Sequence, residues 1–232
     1  MISTNKSRLF RPWEILALTG ASIAACAGMA LLALWIDFSE GKLAFYQRAE
    51  SLERSVAHRL GSIEATLTSL VGLNQASDDF RGYEFSGVTR EILTSYPQID
   101  AIIKAVLVPA DARERFETDM RASGFPQFSV IEQDYDTTYR RSPDRPVMMP
   151  IRLIEPFDPG FARVLGFDMI SDPRLSRAIE HSVSTGMVVM SDPLTLSGLG
   201  RGVFIIKSTY FGQNAPNTES ARRAHVSGAI AL

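Results

Sequence analysis

Twenty-two consecutive residues without a charge, Ile15 to Ile36, constrain this chain more than any other feature of its sequence. At about 1.5 Å per residue, such a run crosses the roughly 30 Å hydrocarbon layer of a bilayer as one helix. Lys6, Arg8 and Arg11 precede it, and Asp37 and Glu40 follow. Cations on the N-terminal side keep that end in the cytoplasm and send the rest outward, while Trp13 and Trp35 stand where amphipathic rings favour the interfaces. The pattern predicts a cytoplasmic tail over 1–12 and a transmembrane helix over 13–37. Two processing signals compete with it. Ala25-Cys26-Ala27 offers a small-residue cleavage site, and Ile23-Ala-Ala-Cys26 has the form of a lipobox. Cleavage at either would leave the apolar run Gly28 to Ile36 at the new N-terminus.

Residues 39–76 contain no proline and carry apolar side chains at Phe45, Ala49, Leu52, Val56, Leu60, Ile63, Leu67 and Leu70. Those steps of three and four form a heptad seam with one shift of phase. A stalk helix over 38–78 accounts for them. It serves either to pair with its twin in a homodimer or to cover its own domain, since both need the same stripe. Ser77 to Gly82 ends it.

Beyond the stalk the pattern alternates. Phe85 to Ser95 reads as a helix, Ile99 to Val108 as a strand, and Asp111 to Ala122 as a charged helix with Asp111 as its cap and Gly124 as its terminator. Phe128 to Ile131 and Pro150 to Ile154 read as short strands, with the arginine-rich Thr137 to Pro146 between them as an exposed loop. Val164 to Phe167 reads as a strand ending at Asp168. Ser171, Asp172 and Pro173 then supply a cap and a first-turn proline for a helix carrying Leu175, Ala178, Ile179 and Val183 at helical spacing and ending at Gly186. Met187 to Met190 reads as a buried strand, Gly202 to Phe211 as a central strand, Gly212 to Ser220 as a loop, and His225 to Leu232 as a final strand. A strand running to the last residue gives the expectation of a C-terminally incomplete domain.

Catalysis and nucleic acid find no support. Twenty-four basic against 26 acidic residues give a net charge of −2, with no electrostatic footprint for nucleic acid. The single cysteine, Cys26, allows no internal disulfide, and His58, His181 and His225 lack metal-ligand spacing. There is no zinc helix, phosphate-cradling loop or nucleophile elbow. No catalytic residue, metal or cofactor is assigned. Asp168 is read as a hydrogen-bonding group at a strand–helix junction. Glu155 closes an apolar strand, where a carboxylate is costly unless paired or bound to something polar, and so is a candidate ligand contact.

Taken in order, Tyr96-Pro-Gln-Ile99, Arg113 to Glu117, Pro150-Ile-Arg-Leu-Ile-Glu-Pro156, Leu165-Gly-Phe-Asp168, Thr185-Gly186 and Ser191-Asp-Pro-Leu-Thr-Leu196 resemble the CHASE domain, an extracytoplasmic sensor attached to histidine kinases, nucleotide cyclases and diguanylate cyclases. The resemblance implies an α/β fold of the α+β kind: a transmembrane helix, a long stalk helix and two PAS-like subdomains with antiparallel sheets, the sensor domain occupying 79–232. It also implies dimerisation through the stalk and a bound small molecule. In plant members an acidic residue after the Pro-Val strand and a hydroxyl residue after Thr-Gly touch the ligand, which carries over to Glu155 or Pro156 and to Ser191. The expectation is a membrane-anchored sensor of a small-molecule ligand that signals to an output domain, kinase or diguanylate cyclase. The alternative is a dimeric interaction module without a ligand.

Overall fold

The computed structural model describes residues 19–32, 60–75, 82–134, 138–212 and 215–232. The chain divides into two units, Met1–Leu60 and Gly61–Leu232. In the first, residues 19–32 are helical and exposed. Among the described residues no helix is long and apolar enough to cross a membrane. The remainder of the expected span 13–37, and most of the expected stalk 38–78, lie outside the described residues.

The second unit takes in residues 61–75 of helix α1, which spans 60–75, and continues through α2 (Gly82–Ser95), β1 (Ile102–Val106), β2 (Val108–Pro109), α3 (Arg113–Ala122), β3 (Ile131–Gln133), β4 (Tyr139–Arg141), β5 (Val147–Met148) and β6 (Ile151–Glu155). Then come α4 (Pro173–Thr185), β7 (Val189–Met190), β8 (Leu194–Leu196), β9 (Gly200–Gly202), β10 (Ile205–Tyr210), α5 (Glu219–His225) and β11 (Val226–Ala231). The fold is α+β with antiparallel sheets. Five strands form the main sheet in the order β6-β1-β11-β10-β7, every pairing antiparallel. Three two-stranded sheets, β2-β5, β3-β4 and β8-β9, surround it.

Strand periodicity divides the core into two layers, because successive side chains leave a strand on opposite faces. Ile103, Ala105, Ile151, Ile206 and Ala229 pack with Leu175, Ile179 and Val183 of α4. Ile102 and Ile230 pack on the other face with Leu67, Leu70 and Val71 of α1 and Phe85 of α2. Gly228 lets β11 lie against β1: a Cβ there would stand 2.2 Å from the Ala105 carbonyl oxygen.

Helix α4 follows its sequence closely, with Pro173 first and Gly186 left-handed at φ 74°. The cap differs from the reading: Asp172, not Ser171, accepts from the Arg174 backbone N–H. Several expectations are corrected. Val164 to Phe167 is not a strand. Val164 ends a 3-10 turn, and Phe167 and Asp168 make only isolated bridges to Ile131 and Pro150, because their backbone groups serve two different neighbours. Asp111 makes no cap hydrogen bond and lies in a 3-10 turn ahead of α3. Met187 and Met190 are exposed, since β7 is a sheet edge of two residues. β10 is an inner strand as expected, paired with both β11 and β7, and β11 holds the middle of the sheet. The expected loop 212–220 runs into α5, which buries no side chain and is held by Arg222 donating to the Val183 and Ser184 carbonyls at the end of α4.

Candidate functional site

The residues marked from sequence fall at opposite edges of the main sheet. Glu155 ends β6 opposite Ile102, on the face covered by α1 and α2. Its Oε2 accepts from Ser86 Oγ at 2.8 Å, and its Oε1 lies 3.8 Å from Arg90 Nη2. Pro156 is exposed just beyond the strand. Ser191 follows β7; its Oγ accepts from the Phe204 backbone N–H at 3.0 Å and donates to the Asp192 carbonyl at 3.0 Å. Four strand spacings of about 4.8 Å put β6 and β7 on the order of 20 Å apart. The fold therefore does not bring Glu155 and Ser191 together.

The buried acids are spent within the fold. Asp168, fully buried, accepts from the Met149 N–H at 2.8 Å and from Arg145 Nη1 at 3.1 Å. Burial pushes its carboxyl above the ordinary range, against those donors. Arg145 also reaches Glu132 at 2.6 Å. Glu117 accepts from the Val130 N–H, Arg113, Arg121 and Arg141. Burial alone would raise its pKa, and these donors more than offset it, leaving the carboxyl below its usual range. So the arginine-rich stretch read as an exposed loop is largely a clamp, with Arg140, Arg141 and Arg145 each on a buried glutamate. Its signal was hidden because Glu132 pairs with it only across the β3-β4 hairpin and Glu117 lies on a separate helix. Among the described residues no cluster of His, Cys, Asp and Glu could hold a metal ion.

A cleft of about 270 Å³ opens where β1 and β10 begin and β11 ends. Ile99, Ile103 and Ile205 form its sheet wall, Ile63 of α1 closes one side, and Gly200 to Val203 close another. Gln98, Asp100 and Arg201 supply its polar groups. The β8-β9 hairpin that carries Arg201 is held by Gln133, whose amide donates to the Thr195 carbonyl and accepts from the Ser197 N–H, and by Tyr139 OH donating to the Ser197 carbonyl at 2.7 Å. Burial pushes the Tyr139 phenol up, so it remains a donor. Neither Glu155, Pro156 nor Ser191 lines this cleft. Ser191 stands one residue behind it, since Phe204, whose N–H it receives, is part of the wall. Asp100 and Arg201 escaped the sequence reading because neither stands in a motif.

An antiparallel sheet covered by helices on both faces, with a small cleft reaching the helix that enters from the N-terminal side, defines an α+β domain. Residues 78–232 match the CHASE domain, and the chain belongs to that family of extracytoplasmic sensor domains, which are not themselves catalytic. The resemblance drawn from Tyr96 to Leu196 is thereby confirmed. No curated protein matches the chain.

Proposed function

We propose that this chain is the membrane-anchored sensing part of a signalling protein: it binds a small organic molecule outside the cytoplasm and passes a shift through its N-terminal helix to a kinase or diguanylate cyclase output domain. Anchoring rests on the uncharged run within 13–37, and homodimerisation on the heptad seam of the stalk 38–78. One observation carries the reading: Ile63 of α1 walls the same cleft as the end of the sheet. A ligand there touches the transmitting helix directly, and it biases that helix to the extent that it fits one position better than another. Ser191 contributes by holding Phe204, and Glu155 by holding Ser86 of α2. Two PAS-like subdomains with antiparallel sheets, over 79–232, complete the proposed sensor.

Thermal melts of the full chain in lipid nanodiscs against a broad metabolite panel test this. A compound of the panel raises the melting temperature, and Val203→Trp, which fills the cleft from a partly exposed position, abolishes the rise. Failure of every compound to stabilise the chain sinks ligand sensing. The ligand-free interaction module has one observation in its favour: the Ser191 hydroxyl and one Glu155 oxygen already have partners inside the fold.

A further inference from the structure

We infer that the sheet-end cleft takes an α-amino acid as its zwitterion, with an aliphatic side chain. This deepens the sensor reading and rests on it. The cleft, at about 270 Å³, is near the lower limit of roughly 300 Å³ for small-molecule sites, so its occupant is small. The charged side chains of its lining are Asp100, ahead of β1, and Arg201, on β9. Among the described residues neither side chain makes a hydrogen bond or an ion pair with a protein group.

Two unlike charges in one cleft, neither neutralised by a protein group, discriminate against singly charged ligands. A carboxylate alone meets Asp100, and an amine alone meets Arg201. A molecule carrying both groups satisfies both, with the guanidinium fork matched to the carboxylate. The rest of the lining is mainly apolar, with Ile63, Ile99, Ile103, Val203 and Phe204 suited to an aliphatic side chain. β9 pairs only with β8, and a Cβ on Gly200 or Gly202 would meet nothing within 4 Å, so the wall beside Arg201 is bare.

Isothermal titration of the full chain in nanodiscs with L-leucine, L-leucinamide and N-acetyl-L-leucine provides the test. Leucine binds, and loss of either charge weakens binding about tenfold or more, as removal of a charge-assisted hydrogen bond does. Arg201→Gln erases the preference over the amide, and Asp100→Asn erases the preference over the acetylated form. Both residues are exposed and unpartnered, so both variants melt as the parent does without ligand. If all three probes bind alike, or the variants leave the preferences unchanged, the zwitterion assignment is overturned while sensing stands. If leucine gives no heat but a panel compound of another class stabilises the chain, the assignment again falls alone. If nothing binds, both fall.

Discussion

Two buried hydroxyls on α4 and β10 have opposite fates. Ser182 Oγ donates to the Met187 carbonyl and accepts from the Ser208 backbone N–H, both at 2.9 Å. Ser208 Oγ, equally buried, has no partner among the described residues. Ser182→Ala should cost about 1–3 kcal/mol by leaving both groups unpaired. Ser208→Ala, which removes an unpaired hydroxyl, should be neutral or stabilising by about 1 kcal/mol. Urea unfolding of the two variants measures both signs. The acids divide in a similar way. Glu117 has its folded pKa depressed, so its contribution is present above the unfolded value of 4.5 and is lost as pH falls through the folded value. Asp172 acts in the same direction, through Arg174 and the helix cap, against the burial that would raise it. Asp168 runs the other way: raised by burial, its contribution is present at low pH and is lost as pH climbs from 3.8 through the folded value. Glu117→Gln should therefore flatten the acid limb of the stability curve below about pH 4.5, read from urea midpoints between pH 3 and 6.

Glycine 228 carries the strictest demand on any element. β11 reaches its place between β1 and β10 only because position 228 has no Cβ, and Gly228→Ala should cost more than about 4 kcal/mol, or abolish cooperative unfolding in a thermal melt. What could be read from sequence followed the same logic of local constraint. Helix α4 declared itself through Asp172-Pro173, its apolar spacing and Gly186, all within one stretch. β11 was legible as a strand from its composition, but its central position was not, because strand order is decided by partners far away in the chain. α5 was hidden since Glu219–His225 buries nothing and has no apolar stripe to show. Phe167 misled because its apolar neighbours suggested a strand, whereas its carbonyl accepts from Ile151 and its N–H goes to Val164. In the site, Glu155 was legible as a carboxylate in an apolar segment and Ser191 only through the family resemblance, and their separation across the sheet was not legible.

At the scale of the molecule, α1 belongs to the sensor domain as much as to the stripe that leads into it. Ile63, Leu67 and Leu70, the last three positions of the heptad seam, are buried in the second unit. The covering role of the stripe is thus met over these residues. Leu67→Ala should cost about 2–5 kcal/mol as a buried leucine deletion, while Leu73→Ala, on the half-exposed side of the same helix, should stay within about 0.5 kcal/mol. Denaturant midpoints distinguish the two.

The strand order has a consequence for the making of the protein. β6 with β1, and β10 with β7, can pair while residues 226–231 are still to be added, but each pair then presents an open edge where β11 belongs. β1 pairs with β11 across a long separation in sequence, the kind of distant pairing that slows folding. Until Val226–Ala231 has been made, two half-sheets can each recruit a stranger's strand, and β11 is the piece that joins them.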